Sequence, residues 1–288
     1  MFNGQKTDLK EAITVRALKK RNTRWEKEKN HKMKGLWWRT VLHPLLISMV
    51  KVNRIMMRQT IHIIGDRRDL SKKPVIYAFT HIGVDDVQIL TEVIKDHVIL
   101  FAGDPQVTYY TLGGFLFWMN GVVWCDTESK IDRKIAAEIA VQYLKQGENL
   151  AIYPEGVWNI TSNLPVLPLF PGIIKMAQEV KCSIVPVAVD CNGKDYYVNI
   201  GENFWVTDRI DKETVKHVKK ELRDKMATLK WEIWETMPRG LRAEYGQYEI
   251  EKRRFVQSFL EQWKDKKTGK NIYTEELVNR RTYRETTI

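Results

Sequence analysis

Long apolar runs are missing from this chain of 288 residues. The longest apolar-rich stretch, Val41 to Val50, is broken by His43 and Pro44 and falls short of the roughly 20 residues a bilayer-spanning helix needs. A transmembrane crossing is therefore not expected. Cysteine is scarce too: Cys125, Cys182 and Cys191 make three, an odd number with no C-x-x-C spacing. That pattern suggests neither a disulfide framework nor a zinc knuckle, and it fits a reducing compartment. The opening residues, MFNGQKTDLKEA, carry neither the apolar stretch nor the small-residue cleavage site of a secretory signal, so export is not expected. There is no Gly-x-Ser-x-Gly elbow, which argues against a serine nucleophile. Internal repeats and low-complexity tracts are also missing.

Charge is plentiful but unevenly placed. The formal net charge is +11, yet residues 1–73 hold 19 Lys and Arg against 6 Asp and Glu, residues 74–205 hold 8 against 15, and residues 206–288 hold 20 against 15. A nucleic-acid enzyme needs cations beside its chemistry, because phosphate contacts dominate that affinity. Here the chemical candidates sit in the acidic middle, so nucleic acid is not the expected partner. Ten Trp and eleven Tyr exceed what a core requires, and such rings favour boundaries with one dry and one wet side.

Periodicity divides the chain into three parts: a basic amphipathic helical arm over 1–65, an α/β core over 66–205 and a helical extension over 206–288. Residues 8–34 read as a solvated basic helix or a partly disordered arm. In the next segment Trp38, Leu42, Leu45, Leu46, Met49, Val52, Ile55 and Met56 recur at helical spacing, with Arg39, Ser48, Lys51, Arg54 and Arg58 between them. His43-Pro44 reads as its helix start. This stripe suits either a membrane interface or the protein core. Strands are expected at Pro74–Thr80, Val98–Gly103, Gly121–Cys125, Leu150–Tyr153 and Ile184–Val189. Helices are expected at Val87–Lys95, Lys130–Gln146 and Ile173–Val180, the second begun by Ser129 and ended by Gly147. The alternation predicts a layered α/β fold with a mixed, largely parallel sheet flanked by helices. Beyond residue 206, Val215, Val218, Leu222, Met226 and Leu229 mark a long helix, Glu249–Trp263 reads as another, and Lys264–Ile288 is polar.

Two loops carry chemistry. His81 follows a strand and Asp86 stands five positions later, with Gly83 between them. A continuous helix puts such positions on different faces, so the chain must bend for the side chains to meet. If it does, the carboxylate fixes the imidazole tautomer and leaves the other nitrogen as a base, which is the base-and-orienter half of a triad without its serine. Tyr153-Pro154-Glu155-Gly156 ends another strand, where α/β folds place ligand loops. Gly121–Asp126 is a third landmark. Ile184–Val189 is a fourth, in which Pro186 suggests an edge strand or a bulge.

In order, these segments read THIGVDD, GVVWCD, YPEGVWN and IVPVAV, and over residues 74–190 they resemble the glycerol-3-phosphate/lysophosphatidate acyltransferase family. The resemblance implies an acyltransferase in which His81 is the general base and Asp86 its orienting partner. It further implies that Gly121, Asp126 and Thr127 of the second motif, with Glu155, Gly156, Val157 and Trp158 of the third, shape the substrate sites. The donor is expected to be acyl-CoA or acyl carrier protein, with no cofactor, no metal and no covalent acyl-enzyme. The acceptor is expected to be a lipid-type alcohol. A peripheral place on the cytoplasmic, inner face of a membrane is expected, held by the N-terminal arm. Members acting on glycerol phosphates usually carry cations where this chain has Thr127, Trp158 and Pro171; Lys130, Arg133 and Lys175 are the cations nearby in sequence. A catalytically silent lipid-binding protein on the same fold is the competing expectation.

Overall fold

The computed structural model describes residues 2–27, 36–83, 85–103, 105, 109, 112–127, 129–159, 164–206 and 211–238. The helix expected over Glu249–Trp263 and the polar end after it lie outside them. In chain order the elements are α1 (Phe2–Lys27), α2 (Leu36–Met56), β1 (Thr60–Asp66), β2 (Val75–Phe79), α3 (Asp86–Ile94), β3 (Val98–Gly103), α4 (Leu112–Asn120), β4 (Val122–Cys125), α5 (Lys130–Lys145), β5 (Asn149–Ile152), α6 (Gly172–Val180), β6 (Ser183–Asn192), β7 (Asp195–Ile200) and α7 (Lys212–Thr236). The expected α/β architecture is the observed one.

The strands form one seven-stranded sheet in the order β1-β7-β6-β2-β5-β3-β4. Every neighbouring pair is parallel except β6 with β7. β2 lies at the centre with all five residues buried, which is why it reads as an unbroken apolar run rather than an alternation. Its side chains still alternate between layers. Ile76 and Ala78 join the core formed with α1, α5, α6 and α7, while Val75, Tyr77 and Phe79 join the one formed with α3. Two layers of helices therefore seal the middle of the sheet, and the ends of its parallel strands are left to carry loops.

Several sequence expectations need revision. α1 is not a solvated arm. Leu18 and Trp25 are buried, the Trp25 indole N–H donates to Glu138 at 2.9 Å, and Arg21 pairs with Asp132 at 2.6 Å, so the helix is docked on α5. α2 does not start at His43-Pro44 but runs through them. Proline removes one helical donor; here its neighbour is held from the side, where buried His43 bonds Asn120 at 3.0 Å and packs edge-on against His97. Pro186 is not on an edge, because β6 pairs β2 and β7 on its two sides. It is tolerated because the β6–β7 ladder begins only at Val187, and the flank before it is met by Gly201 N–H to Pro186 O at 2.9 Å and by the Ile184–Phe204 bridge.

α2 has two apolar faces. His43 and Leu46 turn inward, whereas Trp37, Val41, Leu45, Met49, Val52, Ile55 and Met56 are exposed, the first at 74%. Beside it α4 exposes Leu112, Phe115 and Trp118, and Trp118 meets Trp38 of α2 with ring centroids 5.9 Å apart. No described helix is long and apolar enough to cross a membrane.

Candidate active site

His81 leaves the carboxyl end of β2, and Asp86 opens α3. The intervening bend brings them together: His81 Nδ1 lies 2.7 Å from Asp86 Oδ2. The same oxygen accepts the backbone N–H groups of Ile82 at 2.7 Å and Gly83 at 3.1 Å, so one carboxylate gathers the whole turn. Asp86 is 1% exposed, and its position at a helix N-terminus suits a negative charge. A carboxylate against Nδ1 makes that nitrogen the N–H donor and leaves Nε2 with its lone pair. The His81 side chain is 20% exposed, so that lone pair sits on a ring that solvent, and hence a substrate, can reach. The ring is fixed from the side as well. It stacks on Tyr153 at 4.1 Å between centroids and receives the edge of Trp158 at 5.7 Å.

Glu155 has a different place from the one its motif implies. It is 1% exposed and points inward. Oε1 accepts the His81 backbone N–H at 3.0 Å and Oε2 accepts that of Leu167 at 2.7 Å. The same loop returns a bond to His81, whose carbonyl accepts from Asn159 N–H at 2.7 Å. His81 is thus clamped at both backbone polar groups by the segment after β5. Burial pushes the Glu155 carboxyl up to about 7, against the opposing pull of the Leu167 and His81 N–H groups and the Lys230 charge, with Asp86 adding to the rise.

Gly156 adopts φ +67, and a Cβ there would lie 2.4 Å from the Phe170 ring. Phe170 N–H in turn donates to Pro154 O at 2.8 Å, closing the loop on itself. Glycine is required by the turn and by this close approach. Val157 and Trp158 are half-buried in the same loop.

The second motif is farther off. β4 stands three strands from β2, roughly 14 Å at about 4.8 Å per strand. Asp126 and Thr127 lie at its carboxyl end, the edge of the sheet that His81 shares, but Gly121 lies at its opposite end, with φ +108 and Ile99 where a Cβ would go. Asp126 N–H donates to Asp132 at 2.8 Å, and its carboxylate accepts from Ser129 N–H at 3.3 Å, so it organises the N-cap of α5. Arg21 reaches the same place from α1, donating to Trp124 O and Asp132. Of the residues expected from sequence, His81, Asp86, Glu155 and Trp158 are brought together, Asp126 and Thr127 share their edge of the sheet, and Gly121 does not.

Sequence reasoning missed Tyr153 as the platform under His81. It also missed Asp85, whose carboxylate accepts from Tyr196 Oη at 2.6 Å and Gln59 at 2.8 Å and so ties the His81 bend to β7. The aromatic ending of strand Leu150–Tyr153, one residue before the Pro-Glu-Gly turn, was the available signal for Tyr153.

The largely parallel sheet carries a His–Asp pair at the end of its central strand, and the family model described as Acyltransferase matches residues 59–190. Over 139 residues the chain is 25% identical to the 1-acyl-sn-glycerol-3-phosphate acyltransferase of Saccharomyces cerevisiae, a match covering 48% of this chain and 45% of that protein. The chain therefore spans less than half the length of that relative. The crystal structure of the 1-acyl-sn-glycerophosphate (LPA) acyltransferase PlsC from Thermotoga maritima has the same fold, with a TM-score of 0.53 at 14% identity over 69% of this chain and 84% of that one. Likeness to the lysophosphatidate acyltransferase family, read first from four short motifs, thus extends to the matched domain and to the fold.

Proposed function

We propose that this protein transfers an acyl chain from acyl-CoA or acyl carrier protein to the hydroxyl of a lysophosphatidate-type acceptor. The observation that carries the reading is the 2.7 Å bond from His81 Nδ1 to buried Asp86, which leaves Nε2 as a base on a partly exposed ring. In the reaction, Nε2 takes the acceptor O–H proton as that oxygen attacks the thioester carbonyl. The tetrahedral oxyanion then collapses, the C–S bond breaks, and the donor thiolate recovers the proton from Nε2. No covalent intermediate is needed. Burial pushes the Cys182 and Cys191 thiols up to about 11 and about 12, which makes them poor nucleophiles at neutral pH.

We further propose that the exposed faces of α2 and α4 rest on a lipid surface. An apolar stripe with Lys51 and Arg58 exposed near its end matches the chemistry of an interfacial helix on anionic lipid. Arg54 has a separate task, pairing with both oxygens of Glu92 at 2.7 and 2.9 Å.

The test is acyl transfer by the full chain, with acyl-CoA and lysophosphatidate presented in vesicles. The wild-type chain is expected to release thiol and form diacyl product, and His81→Ala is expected to lower the rate by about 10²–10⁴-fold while staying folded. Unchanged turnover in that variant removes the proposed base. Lipid binding without any transfer by the wild type favours the catalytically silent reading.

A further inference from the structure

α7 lies beyond the matched stretch of residues 59–190 and packs along β6 and β7 with Leu222, Met226, Leu229 and Ile233 buried. Among these apolar residues sits Lys230, 4% exposed. An ammonium in such a place loses its hydration and is disfavoured unless it is paired and hydrogen-bonded, and a methionine or leucine would pack there without that loss.

The bonds of Lys230 all go to one place. Nζ donates to the Val189 carbonyl at 2.9 Å and lies 3.3 Å from Asp190 Oδ2, an oxygen that also accepts the Trp234 indole N–H at 2.5 Å. The Val189 carbonyl has a second donor, the Thr80 hydroxyl at 3.2 Å, and Val189 N–H donates back to Thr80 Oγ1 at 2.8 Å. Thr80 N–H is held in turn by Val187 O at 3.0 Å. Thr80 is 1% exposed, and the next residue is His81.

We propose that Lys230 is a positioning residue for acyl transfer: through Val189 and Thr80 it fixes the strand end from which His81 projects, which makes α7 part of the active-site scaffold. The inference rests on the acyltransfer reading above. It gives α7 a role, in that β6, held from one side by α7, holds β2 from the other.

Electrostatics act in the same direction. Lys230 faces Asp190 and Cys191 of β6 and Glu155 of the β5–α6 loop, while Asp86 at the start of α3 acts on Glu155 and Cys191 with the opposite sign. Its positive charge favours the ionised Glu155 that accepts the His81 backbone N–H. With a neutral residue at 230 that help is lost, and Glu155 ionises only at higher pH.

The experiment compares the full chain with Lys230→Met, close to lysine in length but uncharged, and with Lys230→Arg, which keeps the charge. Acyl transfer to lysophosphatidate is followed across pH, and amide hydrogen exchange is followed by mass spectrometry over peptides containing Thr80 to Ile82. In Lys230→Met, kcat is expected to fall about tenfold, equivalent to about 1.4 kcal/mol, with KM held within about twofold. Its acidic limb should move to higher pH and exchange at Thr80–Ile82 should quicken. Lys230→Arg should restore the limb even where its melting temperature is lower. A Lys230→Met protein with an unmoved limb and unmoved exchange overturns the proposal, whatever happens to its overall stability. If the wild type transfers no acyl group, the acyltransfer reading fails, and exchange at Thr80–Ile82 alone then decides whether Lys230 holds the strand end.

Discussion

Replacing Glu155 with glutamine should separate stability from activity in a way that few surface substitutions could. The carboxyl is 1% exposed, and burial raises it from an ordinary 4.5 to about 7. A shift of that size corresponds to roughly 3 kcal/mol of difference between the two protonation states. Its sign follows from proton counts. Between the unfolded and folded values the native chain binds a proton that the unfolded chain has released, so this group's contribution to stability is full below the unfolded value and is lost as pH rises through about 7. Activity runs the other way, because the ionised carboxylate is the better acceptor for the two backbone N–H groups of His81 and Leu167. The wild type should therefore grow more stable but less active on going from mildly alkaline to mildly acid solution. Glutamine does not titrate. Urea unfolding of both proteins at roughly pH 5 and pH 8 should show the wild type losing about 2 kcal/mol relative to Glu155→Gln on that rise. The amide offers one acceptor oxygen where the carboxylate offered two, leaving one buried N–H facing a donor at a cost of about 1–3 kcal/mol. Glu155→Gln should accordingly show lower kcat at every pH and no acidic limb from this group. Parallel stability curves for the two proteins would refute the reasoning, since they would mean that Glu155 does not titrate between those two pH values.

Two further outcomes are expected. Gly156→Ala should destabilise the fold more than Gly193→Ala; both sites have positive φ, +67 and +61, and share a left-handed cost of about 1–2 kcal/mol, but only Gly156 has the Phe170 ring within 2.4 Å of the added carbon, so the difference in their urea midpoints reads that clash. Trp37→Glu with Val41→Glu should abolish flotation with phosphatidylglycerol vesicles at an unchanged melting temperature, because these side chains are 74% and 67% exposed and hold nothing in the fold; retained flotation would remove α2 from the lipid surface.

What could be read in the sequence, and what could not, follows the range of the interactions involved. β2 was legible because burial on both faces needs no partner to be recognised, and α5 because its cap is local, Ser129 Oγ accepting from Asp132 N–H three residues on. The His81–Asp86 bend was legible because its chemistry closes within five residues. The β6–β7 hairpin carried a legible signal that was passed over, since Asn192-Gly193 with φ +61 at the glycine is a tight-turn pair. Other features were decided at a distance. Pro44 reads as a helix start until His43 is seen to be held by Asn120, 77 residues away, and Arg21 reads as part of a solvated face until Asp132, 111 residues away, is found beneath it. Glu155 shows the limit most clearly. Its place after a strand marks it as functional, but nothing local says whether it faces substrate or protein. What turns it inward is the need of the His81 N–H, 74 residues earlier, for an acceptor in a dry site. The proposed base and its carboxylate are brought together by one short bend, whereas the groups that hold them still arrive from the segment after β5, from β6 and from α7. A motif can therefore name the base without naming its supports, and substitutions at Glu155 and Lys230 should affect turnover although neither side chain need touch the substrate.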